Sequence, residues 1–219
     1  SNNYAIKGYA LANRHKGNHL ITTRVEHSSV LNSFAQLEKE FGFRVSYLPV
    51  TRKGSVDLDA LAQALDKDTI LVSTMLVNNE TGAINPMKDI AGLVHSKSRA
   101  VFHVDGVQAL GKLEIDLADM DMATFSAHKI YGLKGSALLY RKANIQLLDL
   151  ISGGQQEQGL RGGTSNAPAN IVFAKTLRLA LEQQQNHISH VQHLHDYLIE
   201  QLSQMEDVQI NSHDPCVPH

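Results

Sequence analysis

The spacing of apolar residues alternates along the chain between two patterns. Short, mostly apolar runs are typical of buried strands, and apolar residues that recur every three or four positions are typical of amphipathic helices. One such helix carries Val30, Phe34, Leu37 and Phe41 and is predicted to end at Gly42. Further helices are predicted over residues 58–65 and from Pro86 onward. The predicted strands occupy residues 19–25, 44–50, 69–77, 100–105, 122–125 and 136–140.

This alternation favours an α/β fold with a mostly parallel sheet and helices on both of its faces. In such sheets, ligands bind beyond the carboxyl ends of the strands. We therefore expect a polar site along that edge. The polar residues that follow the predicted strands are His27, Asn78, Asn79, Glu80, Asp105, Ser126, His128 and Lys129.

The pattern changes after Gly163. Residues 167–205 are predicted to be helix-rich, with a break near the glutamines at 183–185, and residues 213–219 are predicted to be irregular. We divide the chain into a large domain at residues 1–165, and a helical connection with the start of a small domain at residues 166–219.

Composition excludes several classes of partner. The formal net charge is -2 without a basic stripe, which argues against nucleic acid and anionic membranes. No apolar stretch approaches the roughly 20 residues that span a bilayer. The single cysteine, Cys216, cannot form an internal disulfide, which favours a reducing, cytoplasmic setting.

Lys129 and Asp105 are the residues with the most specific chemistry. A lysine can hold an aldehyde cofactor as a Schiff base, and Ser126 and His128 beside it can bind phosphate. The alternative is a surface lysine in a loop. Asp105, at the end of an apolar strand, could keep a pyridine nitrogen protonated, or it could be a helix N-cap. Gln108 could point to the same site or be a surface glutamine.

Two further residues are weaker candidates. Asn79 could hold a ring oxygen of a cofactor, or its segment could need only turn-forming residues. His27 could stack on a flat ring and transfer protons, or it could be a polar cap at a strand end.

Five motifs occur in the order and at the separations found in one known family. Together they resemble the NifS/IscS-like cysteine desulfurases, which are class V aminotransferase-type enzymes. The motifs are Asn78-Asn79-Glu80-Thr81-Gly82, His103-Val104-Asp105-Gly106-Val107-Gln108, Ser126-Ala127-His128-Lys129-Ile130-Tyr131-Gly132, Lys134-Gly135 and Arg161-Gly162-Gly163-Thr164.

The resemblance implies the large domain of a fold-type-I pyridoxal-phosphate transferase plus the start of a small α+β domain. It implies that Lys129 carries pyridoxal 5'-phosphate and that Asp105 pairs with the ring nitrogen. Asn79 and Gln108 would contact the ring oxygen, Ser126 and His128 the phosphate, and His27 the ring face. Thr164 would reach the cofactor of a second copy in a homodimer.

The implied reaction converts L-cysteine to L-alanine and leaves sulfur as a persulfide on an enzyme cysteine. The sulfur would pass to an acceptor protein for iron–sulfur cluster or thio-cofactor biosynthesis. Alternatives are another class V enzyme, such as a selenocysteine lyase, or a cofactor-free scaffold.

Two elements of the family are expected to lie outside the chain. These are the phosphate-binding turn, which would precede Asn2-Asn3, and the loop with the sulfur-accepting cysteine. We interpret Cys216 as an incidental thiol, and we expect the chain alone to lack turnover. The histidines at 187, 190, 193 and 195 are interpreted as a solvated helix face rather than a metal site.

Overall fold

The computed structural model describes residues 1–211 and 215–218. The strands in this part of the chain are β1 (His19–Thr23), β2 (Arg44–Leu48), β3 (Thr69–Met75), β4 (Val101–Asp105), β5 (Met122–Ser126) and β6 (Ala137–Arg141). A π-helical segment, Tyr4–Gly8, precedes the first α-helix. The α-helices are α1 (Tyr9–Ala12), α2 (Ser28–Phe41), α3 (Leu58–Ala64), α4 (Met87–Lys97), α5 (Ala167–Glu182) and α6 (Gln184–Leu202).

The strands form one sheet in the order β2-β1-β3-β4-β5-β6. The first five strands are parallel, and β6 runs antiparallel to β5 at the sheet edge. The predicted mostly parallel sheet is therefore confirmed. Parallel neighbours need long crossover connections, which here contain a helix between β1 and β2, β2 and β3, and β3 and β4.

Each face of the sheet has its own hydrophobic core. Leu20 and Ile21 are both fully buried, and because adjacent strand residues point to opposite faces they enter different cores. Residues of α2, such as Phe34, pack with Leu20 on one side, and residues of α4, such as Ile90, pack with Ile21 on the other. The prediction of helices on both faces is confirmed.

Several element boundaries follow from local chemistry. The end of α2 is confirmed, since Gly42 caps it in the left-handed conformation, with φ 69°. Pro86 precedes the first residue of α4 instead of being that residue. The third strand ends at Met75, earlier than predicted, because Val77 instead bridges to Ile84 across the following turn.

The helical part after residue 166 contains the predicted break. Only Gln183 separates α5 from α6. The segment 215–218 packs on the turn after β3, where Val217 donates its N–H to the Gly82 carbonyl at 2.9 Å and Cys216 bridges to Ala83. The other residues of the predicted irregular terminus, 213, 214 and 219, lie outside the described residues.

Within residues 1–211 and 215–218, none of the helices is both long and apolar enough to cross a membrane.

Candidate active site

A cleft of about 450 Å³ opens at the carboxyl ends of the strands. It collects residues that are far apart in the sequence, because parallel strands end at the same edge. Seven of the predicted site residues line it: His27, Asn79, Asp105, Gln108, Ser126, His128 and Lys129. Thr164 is the predicted site residue that does not line it.

Asp105 is the last residue of β4 and is only 5% exposed. Its Oδ1 accepts the backbone N–H of Val107 at 3.0 Å, and its Oδ2 accepts the amide of Asn2 at 2.7 Å. Burial raises the pKa of Asp105, and these two hydrogen bonds act in the opposite direction. A carboxyl group in this setting gains from a cation placed against it, because two neutral donors only partly replace lost hydration.

Asn2 is a site residue that the sequence reasoning missed. Its side chain is buried, and its amide N–H groups reach both Asp105 and Ser29 Oγ, the latter at 2.9 Å. Its carbonyl oxygen accepts the hydroxyl of Thr124 on β5. Asn2 thus ties together β4, β5 and the start of α2. The sequence placed Asn2 only as the residue after the expected phosphate-binding turn, which did not reveal these contacts.

Lys129 and His128 lie on a 3-10 turn, Ala127–Ile130, directly after β5. Both side chains are exposed at the cleft, and His128 Nδ1 lies 2.8 Å from Ser126 Oγ. Tyr131 ends the turn with a left-handed φ of 67°. The tight turn fixes the position of Lys129 relative to the end of β5.

Gly132 is required for that turn to close. Its N–H donates to the Ala127 carbonyl at 2.8 Å, and a Cβ at this position would lie 2.9 Å from the same carbonyl oxygen. Any other residue would therefore push the backbone out of the turn.

The polar-cap interpretation of His27 is confirmed, whereas its role against a ring stays a prediction. It is the N-cap of α2, and its Nδ1 accepts the backbone N–H of Ser29 at 3.1 Å. Its ring is nevertheless exposed and lines the cleft. The cap holds the ring at the cleft wall, where a flat ligand could stack on it.

In the turn after β3, Asn78 and Asn79 have different tasks. Asn78 Oδ1 accepts the backbone N–H groups of Glu80 and Thr81 at 2.9 and 3.0 Å, so Asn78 builds the turn. Asn79 is exposed in the cleft and donates its amide to Glu80 Oε1 at 2.7 Å.

Gln108 and Lys112 form a polar pair at the cleft. Lys112 Nζ donates to Gln108 Oε1 at 3.1 Å. Burial lowers the pKa of Lys112, and the charge of Lys129 lowers it further. Lys112 did not figure in the sequence reasoning, because a lysine followed by an ordinary loop is usually solvated.

Glu26 is a second buried acid beside the cleft that the sequence reasoning missed. It is 5% exposed, and its Oε1 accepts the Thr23 hydroxyl at 2.8 Å and the Met75 N–H at 3.1 Å. Burial raises the pKa of Glu26 to about 8, and the nearby Asp105 carboxylate adds to this effect. Its place at the end of a strand, next to His27, was the available signal.

The remaining candidates lie away from this cleft. Thr164 is exposed, in a loop so closely packed that a Cβ on Gly162 would lie 2.8 Å from the Cα of Gly153. Its predicted role toward a second copy stays a prediction. Cys216 lies half-buried beside the turn after β3, and its interpretation as an incidental thiol also stays a prediction. Across the described ranges, no three or more His, Cys, Asp or Glu residues form a group that could hold a metal ion.

The side chains that line the cleft fit pyridoxal phosphate. Lys129 is an amine that could hold an aldehyde, Asp105 is a buried acid that favours a cation, and Ser126 with His128 offers phosphate donors. The cleft volume also falls in the range of roughly 300–1,000 Å³ usual for small-ligand sites.

Known proteins with similar sequences belong to the family that the sequence motifs resemble. The family model for aminotransferase class-V matches residues 1–217. The cysteine desulfurase IscS of Clostridium botulinum is 42% identical over 214 residues, which are 96% of this chain and 53% of that protein. The chain thus spans about half the length of the curated relatives it matches.

Two solved structures are similar to the whole chain or to most of it. A NifS-like protein aligns with a TM-score of 0.95 and 36% identity, over 100% of this chain and 60% of that chain. SspA in complex with cysteine aligns with a TM-score of 0.75 and 40% identity, over 81% of this chain and 52% of that chain. The predicted fold of a fold-type-I pyridoxal-phosphate transferase is therefore confirmed.

Proposed function

Because the chain belongs to the aminotransferase class-V family, we propose that its protein is a pyridoxal-phosphate-dependent cysteine desulfurase. The observation that carries the proposal is the pairing, in one cleft, of a buried acid at a strand end, Asp105, with an exposed amine, Lys129. The reaction would release L-alanine from L-cysteine and leave the sulfur on an enzyme cysteine as a persulfide.

The residues of the cleft divide the work of holding the cofactor. Lys129 would attach it covalently, and Asp105 would pair with its protonated ring nitrogen. Ser126 and His128 would bind its phosphate. When bound, the cofactor supplies an electron sink that acidifies the α-carbon of an amino acid.

Other residues would orient the ring and move protons. Asn79, in the turn after β3, and Gln108, in the coil after β4, would donate to the ring oxygen. His27 would lie against the ring face, held by its capping hydrogen bond to Ser29. Lys129, once displaced from the cofactor by the substrate amine, would carry the α-proton as a general base.

The substrate and the partners are part of the proposal. L-cysteine is supported by the similarity to SspA, whose solved structure is a complex with cysteine. A sulfur-acceptor protein and a homodimer, with Thr164 reaching the second copy's cofactor, are kept from the sequence resemblance. The acceptor would serve iron–sulfur cluster or thio-cofactor biosynthesis.

Covalent attachment to Lys129 is the direct test. Addition of pyridoxal phosphate to the purified protein should produce a visible absorption band. Borohydride should then fix the cofactor, and peptide mass spectrometry should locate it on Lys129. Lys129→Ala should abolish the fixed label, whereas Lys134→Ala, in the same exposed loop, should retain it. Labelling spread over several lysines, or none, would refute the proposal.

Turnover is tested separately, by alanine release from L-cysteine. We expect none from the 219 residues alone, because Cys216 is their one cysteine and we infer that it is not the sulfur acceptor. Alanine release from this chain that disappears in Cys216→Ser would show that inference to be wrong.

A further inference from the structure

Lys112 and Gln108 lie on one side of a short helical turn. Ala109 and Leu110 both donate their N–H groups to the Gly106 carbonyl, at 3.0 and 3.1 Å, which coils the chain after β4. Residues four positions apart on such a coil are neighbours. The Lys112 ammonium group accordingly reaches Gln108 Oε1 at 3.1 Å.

This contact decides which group of the Gln108 amide, the carbonyl oxygen or the NH₂, can bind a ligand in the cleft. A glutamine side chain has one carbonyl oxygen and one NH₂ group, and the two are exchanged by a flip of the amide. An ammonium group can only donate, so it holds the carbonyl oxygen. The NH₂ group is then the end left to a ligand in the cleft that Gln108 lines.

Lys112 is set apart from a solvated surface lysine in two ways. It is half-buried and lines a smaller cavity of about 220 Å³, which Gln108, Glu80 and His195 also line. No carboxylate among the described residues lies within ion-pair distance of its Nζ. Its side-chain ammonium group donates a hydrogen bond to Gln108, and burial and the charge of Lys129 lower its pKa.

We propose that Lys112 is a positioning residue that fixes the Gln108 amide with its N–H groups toward the cleft, as donors for the ionised ring oxygen of pyridoxal phosphate. The inference rests on the proposed function for the identity of that ligand. It assigns to Lys112 a role through Gln108, without contact between Lys112 and the cofactor.

A double-mutant cycle tests this role. Lys112→Met frees the amide to flip, so the Kd of the protein for pyridoxal phosphate should rise about three- to tenfold, the factor expected for one hydrogen bond. In a Gln108→Ala background, Lys112→Met should have little further effect. Lys112→Arg should restore most of the affinity, because a guanidinium group also only donates. Lys88→Met, at an exposed position on α4, is the control.

A direct charge effect or a purely structural effect of Lys112 would give the other result. In that case Lys112→Met would weaken binding equally with Gln108 and with Ala at that position, and the proposal would be overturned. An unchanged affinity in Lys112→Met would also overturn it.

The cofactor-free protein gives an independent readout. The side-chain amide signal of Gln108 in ¹⁵N NMR should move in Lys112→Met and not in Lys88→Met. An unmoved signal would contradict the contact itself. If wild-type protein failed to attach the cofactor at Lys129, the proposed function would fail, while this signal would still decide whether Lys112 holds the amide.

Discussion

Replacement of Glu26 by glutamine should change how the stability of the fold depends on pH. The Glu26 carboxyl group is almost fully buried, and its Oε2 lacks a hydrogen-bond partner among the described residues. Burial raises its pKa from 4.5 to about 8, so the group is largely protonated in the folded protein near neutral pH. Glu26→Gln keeps an acceptor for Thr23 and Met75 but cannot ionise.

The sign and size of the effect follow from proton linkage. Between pH 4.5 and about 8 the folded state binds a proton at Glu26 that the unfolded state has released, so stability falls as pH rises through this window. At 1.36 kcal/mol per pH unit, the largest loss is roughly 5 kcal/mol. In Glu26→Gln the new amide lacks a partner at every pH, which costs about 1–3 kcal/mol without a slope.

Urea unfolding of both proteins at a series of pH values measures this difference. The variant should be the less stable protein below about pH 5, the two stabilities should cross between about pH 5 and 7, and the wild type should be the less stable protein at about pH 8. Subtraction removes the contributions of titrating groups that do not interact with Glu26, since both proteins contain them. A difference in unfolding free energy that stays constant across this range would refute the reasoning, because it would mean that Glu26 titrates alike in the folded and unfolded chains.

Two further predictions concern packing and the cofactor. Gly106→Ala should destabilise the protein by about 1–3 kcal/mol in thermal or urea unfolding, because its Cβ would lie 2.4 Å from the Phe125 ring. Gly92→Ala, with open space in the interior of α4, should instead stabilise it by about 0.5–1 kcal/mol, and equal effects would contradict the clash. Asn2→Ala should raise the Kd for pyridoxal phosphate about tenfold in an absorbance titration, because it removes a donor that holds Asp105, and an unchanged Kd would contradict that role.

Helices and strands could be predicted from the sequence wherever one local rule determines where they lie or end. Gly42 ends α2 because the left-handed cap position favours glycine, and mostly apolar runs such as Thr69–Met75 predicted the buried parallel strands. Strand ends were overestimated where a turn competes for the same backbone groups. Val77 is apolar like the strand before it, yet it pairs across the turn with Ile84.

The residues of the candidate site could be predicted from the sequence only in part, for a different reason. The rule that ligands bind at the carboxyl ends of strands correctly brought together residues such as Asp105 and Lys129. It could not find Asn2, which reaches Asp105 across 103 positions of sequence, or the burial that raises the pKa of Glu26. Such properties arise from packing between distant segments, and neither residue type nor local spacing encodes them.

Interaction between the two buried acids, Asp105 and Glu26, limits the number of ionised carboxylates at the cleft. Asp105 accepts two hydrogen bonds and lines the cleft, whereas Glu26 turns its bonded oxygen toward Thr23 and the β3 backbone. The charge of Asp105 itself helps to raise the pKa of Glu26, so ionisation of one opposes ionisation of the other. With Glu26 protonated near neutral pH, it places no second negative charge beside Asp105. A single buried carboxylate suits a single protonated ring nitrogen, and a second anion would leave one charge without a partner.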